Sequence, residues 1–156
     1  MIDTKLLDEL STVKLPEDIS TEGIGSMNVV LSEIQDKTVR TTRLAVKVLS
    51  ELTERRTCRN AIKAKLDVEK SRVMVENKSV AEAKNQGQRD AIVDVETAKM
   101  REEFEQADME AREAEAAMLA VEHVLSCLKT AKELAGRQLD VVEKEINLGL
   151  ITPVNR

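Results

Sequence analysis

Residues 100–147 have the sequence MREEFEQADMEAREAEAAMLAVEHVLSCLKTAKELAGRQLDVVEKEIN, in which apolar residues recur at alternating steps of four and three. Of the fourteen positions that run from Met100 to Ile146 in these steps, only Lys132 is charged. This spacing places the side chains on one stripe of an α-helix and is typical of a coiled-coil seam. We therefore predict a long helix that packs against a partner helix, reaches about residue 147 and stops at Gly149.

The predicted partner helix lies earlier in the chain. No Pro or Gly interrupts residues 26–77, or even 26–84, and the composition favours a helix. Its apolar stripe is interrupted by Arg55 and Arg59 and resumes at Ile62 and Leu66. We expect the two helices to form an antiparallel hairpin. The residues predicted to form the seam, within the hairpin or between copies of it, are Leu31, Ile34, Val48, Leu52, Met118, Val121, Leu125, Leu128, Leu139 and Val142.

Two segments could form the turn of the hairpin. Residues 76–79 are followed by a capping-box pattern, in which Ser79 and Glu82 are three residues apart, and residues 85–87 have the turn-favouring sequence Asn-Gln-Gly. The sequence does not distinguish between them. We place the turn near residues 77–87.

A short amphipathic segment precedes the hairpin. Residues 2–10 place Ile2, Leu6, Leu7 and Leu10 on one helix face, which we expect to dock on another element. Residues 11–26 contain Pro16 and two glycines and are predicted to be a linker. The predicted organisation is a short helix plus linker (1–25), a helical hairpin (26–147) and a tail (148–156).

The composition supports this all-α interpretation. The chain has 156 residues, of which 34% are charged and 1% aromatic, with Phe104 the only aromatic residue. Few glycines and prolines and abundant helix formers argue against β-sandwiches, barrels and Rossmann sheets. Because the apolar stripe is wide and aromatic residues are scarce, we expect homo-oligomerisation to complete the burial.

The charges are segregated along the chain, although the net charge is only −5. Residues 37–72 contain eleven basic and four acidic residues, whereas residues 90–122 contain eleven acidic and three basic residues. These charges can meet across the hairpin. The basic residues nevertheless spread around more of the helix than one acidic partner covers, so a surplus could follow a phosphate backbone without reading the base sequence.

The sequence contains little that supports catalysis. Its one histidine, His123, has no Glu-x-x-His motif and no expected cysteine neighbour, so we predict a packed or rim histidine. The hairpin register would keep Cys58 and Cys127 apart, as two reduced and half-buried thiols. We predict no catalytic or metal site, no cofactor and no small-molecule substrate. The start lacks a signal-peptide pattern and no apolar stretch could span a membrane, so we expect a cytoplasmic protein.

Three segments carry a resemblance to a known family: residues 55–66 (RRTCRNAIKAKL), 88–91 (QRDA) and 121–130 (VEHVLSCLKT). Over about residues 44–139 the chain resembles the small helical phage proteins related to UvsY-type recombination mediators. The resemblance implies a ring-like oligomer in the host cytoplasm that binds single-stranded DNA and helps to load a strand-exchange recombinase. It also implies that DNA is contacted by Arg55, Arg56, Arg59, Lys63 and Lys65.

A purely structural function is the alternative. In that case the chain is a coiled-coil assembly, scaffolding or adaptor protein that binds no nucleic acid, and its charges serve only helix pairing and solubility.

Overall fold

The computed structural model describes residues 4–15 and 24–150, which form five helices and no strand. They are α1 (Thr4–Ser11), α2 (Ile24–Glu76), α3 (Lys78–Glu82), α4 (Gln86–Glu96) and α5 (Ala98–Asn147). The long helices α2 and α5 pack against each other, so the predicted all-α helical hairpin is confirmed. Helix α2 begins at Ile24, two residues before the predicted start of the hairpin. None of the described helices combines the length and the apolar character needed to cross a membrane.

The chain divides into two compact units, and each contains part of both long helices. Of the described residues, the first unit comprises 4–15, 24–48 and 117–150, and the second comprises 49–116. The apolar side chains of the first unit form two clusters. One contains the buried Met27, Ile34 and Val142, and the other contains Val124 and Leu128.

The short helix α1 docks on the second of these clusters. Leu10 is 1% exposed and packs with Val124 and Leu128, while Leu6 and Leu7 lie against the same cluster. The predicted docking face is therefore confirmed for these three leucines, and Ile2 lies outside the described residues. Since all three sit at helical spacing on one face, α1 covers the cluster with a single apolar stripe.

Polar contacts fix α1 and the residues after it to α2. The Lys37 ammonium group donates a hydrogen bond to the Thr12 carbonyl oxygen at 2.6 Å and pairs with Glu33 at 2.7 Å. Arg40 pairs with Glu9 of α1 at 3.4 Å. The Lys37 side chain is only 13% exposed, so its two partners offset the cost of desolvating its charge.

The turn uses both predicted segments. Asn77 caps α3, and its Oδ1 accepts a hydrogen bond from the Ser79 backbone N–H at 2.9 Å. Asn85 caps α4, and its Oδ1 accepts from the Gln88 N–H at 2.9 Å. The predicted capping box of Ser79 and Glu82 is wrong, because Asn77 is the cap and Ser79 already lies in the first turn of α3. Asparagine at both caps satisfies N–H groups that have no partner within the helix.

Thr97 interrupts the second arm between α4 and α5. Its side chain is 1% exposed and its hydroxyl donates to the Val93 carbonyl at 2.8 Å, a contact that tends to bend helices. The Arg101 guanidinium spans the interruption, donating to the Asp94 carbonyl oxygen at 2.9 Å and pairing with its carboxylate at 2.6 Å. The arm therefore continues across a local break.

Helix α5 ends as predicted at a glycine. Gly149 has a φ of 70°, in the left-handed region that favours glycine. The Gly149 N–H donates to the Ile146 carbonyl, and the Leu150 N–H donates to the Glu145 carbonyl, both at 2.9 Å. These two hydrogen bonds form a Schellman motif, which satisfies carbonyl groups of the last helical turn.

Gly149, at this helix end, and Gly136, inside α5, should respond in opposite ways to substitution by alanine. Gly149→Ala should lower the free energy of unfolding by about 1 kcal/mol because an L-residue is strained at positive φ. Gly136 lies inside α5, and an added Cβ there meets nothing within 4 Å. Gly136→Ala should therefore raise the free energy of unfolding by about 0.5–1 kcal/mol. Urea denaturation followed by circular dichroism measures both, and a loss of stability in Gly136→Ala would contradict the open surroundings described for that position.

Candidate nucleic-acid interface

The residues predicted to bind DNA lie in the second unit, on the part of α2 between Leu52 and Leu66. Both leucines are 5% exposed and belong to the seam that faces the other arm. The seam positions between them include Arg55 and Arg59. A helix-helix contact brings these positions close to α5, so the arginines need partners on that helix.

Arg59 lies where the apolar stripe is interrupted and contacts an aspartate of the other arm. Its Nη1 lies 3.4 Å from Asp108 Oδ1, and Arg112 Nη2 lies 2.8 Å from Asp108 Oδ2. The Arg59 and Asp108 side chains are only 28% and 22% exposed. Asp108 is flanked in the seam by the buried Ala107 and Ala111, whose small side chains leave room for a long arginine stem.

Two further arginines pair with the acidic arm. Arg55 contacts Glu110, and Arg56 donates to Glu115 Oε1 from Nε at 3.0 Å and forms an ion pair from Nη2 at 2.9 Å. In each pair the arginine side chain is 52% exposed and the glutamate side chain 36% exposed. Pairs this exposed each contribute about 0–1 kcal/mol. Together with Arg59 they form a row of charge pairs along the seam.

The arginines and lysines of residues 55–72 differ in their contacts. The fourth arginine, Arg72, pairs with Glu69 at 2.5 Å, and hydrogen bonding and charge from Glu69 raise the pKa of its guanidinium. Lys63, Lys65 and Lys70 contact no carboxylate among the described residues, and Lys63 and Lys65 are exposed. Arginine presents a planar fork of donors that suits carboxylates, whereas the lysine ammonium is a compact, strongly hydrated charge.

The five predicted DNA contacts thus fall into two groups. Arg55, Arg56 and Arg59 contact the acidic arm, whereas Lys63 and Lys65 face solvent. The distinction could have been anticipated only in part, because the segregation of charge predicts cross-arm pairs but does not determine which cations form them.

The ten predicted seam residues are all at least partly buried in the described structure. Six are buried and four are half-buried. The buried ones are Ile34, Val48, Leu52, Val121, Leu128 and Val142, and the half-buried ones are Leu31, Met118, Leu125 and Leu139.

One contact differs from the sequence-based prediction for the histidine. Cys127 lies one helical turn after His123, and its Sγ is 3.7 Å from His123 Nε2, so His123 does have a cysteine neighbour. His123 is exposed and Cys127 half-buried, while Cys58 is exposed rather than half-buried as predicted. Among the described residues, no three His, Cys, Asp or Glu side chains group closely enough to hold a metal ion.

A charge swap tests whether the arginines hold the arms together. Arg56→Glu and Glu115→Arg should each lower the free energy of unfolding by about 0.5–1 kcal/mol, because each places like charges opposite one another. The double variant should recover most of the loss. Urea denaturation at low salt measures the cycle, and 1 M NaCl should shrink all three differences through screening. Independent, additive effects of the two substitutions would contradict a direct pair.

The chain was also compared with known proteins. No protein-family model, curated protein or solved structure matches it. The resemblance to the UvsY-type mediators therefore rests on the three sequence segments described above.

Proposed function

We propose that the chain is a non-enzymatic, self-associating helical hairpin that binds single-stranded DNA through exposed lysines and acts as a recombination or replication accessory in the cytoplasm. The observation that supports this proposal is that the arginines and lysines of residues 55–72 differ in their contacts. All four arginines contact carboxylates, while Lys63, Lys65 and Lys70 contact none among the described residues. The lysines are therefore the cations of this segment that can meet an external anion without giving up a carboxylate partner.

Exposed lysines suit a phosphate backbone better than a base. An ammonium group contacts phosphate as a point charge and releases counterions, which makes binding strongly salt-dependent. The chain has no Trp or Tyr for base stacking, and its one Phe104 is half-buried in the seam. Binding of this kind is independent of base sequence.

Self-association would strengthen such binding. A net charge of −5 disfavours contact between one copy and DNA over most of the surface. Several copies on one strand would bring several lysine groups to successive phosphates, and the linked contacts would multiply. The resemblance to the UvsY-type mediators supports single strands as the ligand and a strand-exchange recombinase as a protein partner.

The arginine pairs favour a second candidate. Because Arg55, Arg56 and Arg59 contact the acidic arm, the basic segment has a structural function that requires no ligand. On this view the chain is a coiled-coil assembly, scaffolding or adaptor protein, and the lysines only keep an exposed helix face soluble.

Substitution of the lysines distinguishes the two candidates. Lys63→Glu with Lys65→Glu should weaken binding to a labelled single-stranded oligonucleotide at least tenfold, and should lower the slope of log affinity against log salt by about 1.4, for two lost phosphate contacts. Fluorescence anisotropy at several salt concentrations measures both. Circular dichroism should be unchanged, since both side chains are exposed and contact no carboxylate in the described structure.

The Arg56→Glu, Glu115→Arg double variant is the matched control, because it moves charges between the arms without changing the net charge. It should keep at least half of the wild-type affinity. Wild-type protein that fails to bind single strands even at low salt would overturn the DNA proposal and leave the structural candidate. Equal affinity for duplex would overturn the preference for single strands.

A further inference from the structure

In the second unit, helix α2 carries a second heptad pattern on the exposed face, opposite the inner positions that pack on the rest of the hairpin. Its positions alternate in steps of four and three from residue 57 to residue 75, and none is charged. All six are exposed, with Val68 at 69% and Val75 at 85%. We call this set the outer seam, and its members are Thr57, Ala61, Ala64, Val68, Ser71 and Val75.

The inner face of the same helix segment carries more charge than this outer face. The inner positions over the same length are residues 55, 59, 62, 66, 69 and 73, and three of them are the charged Arg55, Arg59 and Glu69. Since 34% of all residues are charged, six solvent-facing positions would carry about two charges on average. An exposed face with no charge and two prominent valines has the pattern of a contact surface rather than of a solvated face.

The side chains that flank the outer seam bring opposite charges together only when the seams of two copies run parallel. In a parallel coiled coil, a residue at position g faces the residue five positions later on the partner, at position e. This rule pairs Asp67 with Arg72 of a second copy, and Asn60 with Lys65. In an antiparallel pair, equivalent flanks meet instead, so Lys65 would face Lys65 and Asp67 would face Asp67. The charges therefore favour the parallel orientation.

The contacts of Arg72 are compatible with this pairing. Its side chain is 59% exposed while it holds Glu69 at 2.5 Å. A guanidinium has five N–H donors, so Arg72 can keep Glu69 and donate to a second carboxylate as well. Within one copy, Asp67 forms no ion pair with any described residue. Its carboxylate can therefore accept a hydrogen bond from a second copy.

From these observations we infer that the outer seam of α2, residues 57–75, binds the same seam of a second copy in a parallel, two-stranded coiled coil. A two-fold axis parallel to the helices relates the two copies, so each seam residue faces its own equivalent. The valines supply apolar burial, and Ala61 and Ala64 let the helix backbones approach closely. The inference deepens the self-association included in the proposed function, and it names the partner surface and the orientation.

Disulfide cross-linking tests the contact and its orientation. In a Cys58→Ser, Cys127→Ser background, Ala64→Cys and Val68→Cys should each form a covalent homodimer under mild oxidation, because seam positions of a parallel pair lie within disulfide reach of themselves. Ala116→Cys is the matched control, since Ala116 is an exposed alanine in the same unit. We expect the seam variants to cross-link at least tenfold faster than the control on non-reducing gels.

Two results would overturn the inference. Cross-linking of both seam variants at the rate of the Ala116→Cys control means that the outer seam is not a contact. Cross-linking only in a mixture of the two variants, between residues 64 and 68, means that the pair is antiparallel.

A charge introduced into the outer seam supplies an independent measurement. Val68→Glu with Val75→Glu should halve the mass of the dimer in sedimentation equilibrium without changing the helical circular dichroism signal, because both valines are exposed within one copy. An unchanged mass overturns the inference. All these experiments use protein without DNA, so a failure of the DNA proposal leaves their outcome unaffected, and a failed cross-link leaves the lysine test intact.

Discussion

In the second unit, the contact between α2 and α5 requires a carboxylate opposite each arginine of the seam. Without these partners, Arg59 would place a partly buried and unpaired charge in the middle of a helix-helix contact, which costs free energy. Asp108 removes this cost by contacting Arg59 and Arg112 together, at 3.4 Å and 2.8 Å. Part of the acidic composition of the second arm follows from the same constraint, because Asp108, Glu110 and Glu115 are the partners of the three arginines.

The hairpin could be predicted because its pattern is periodic over many turns. Thirteen of the fourteen positions between Met100 and Ile146 are buried or half-buried, and the exception is the exposed Lys132. The helix stop at Gly149 was also predictable, since a positive φ is a local property of glycine. The turn was less predictable. Asn77 and Asn85 cap the helices that follow them, each through one side-chain oxygen, and the capping-box pattern at Ser79 does not reveal these caps.

The break at Thr97 and the difference between the arginine and lysine contacts could not be predicted from the sequence, for a different reason. Threonine is common inside helices, and only the buried hydroxyl contact with Val93 distinguishes this one. Likewise, Arg56 and Lys63 contribute equally to the count of positive charge. Which of them contacts a carboxylate depends on rotation about the helix axis and on the position of Glu115, and both are properties of the packed pair.

The charge pairs that the structure describes between α2 and α5 all lie in the second unit, which gives the two units different responses to salt. Burial of Met27, Ile34 and Leu128 stabilises the first unit. The second unit has a buried apolar cluster of its own, formed by Val73, Val80 and Val93, but it also contains charge pairs that added salt screens. Concentrated salt therefore weakens contacts between the long helices in the second unit and leaves the apolar burial of the first unit in place. A single long hairpin can in this way lose contacts between its arms in one part while they persist in the other.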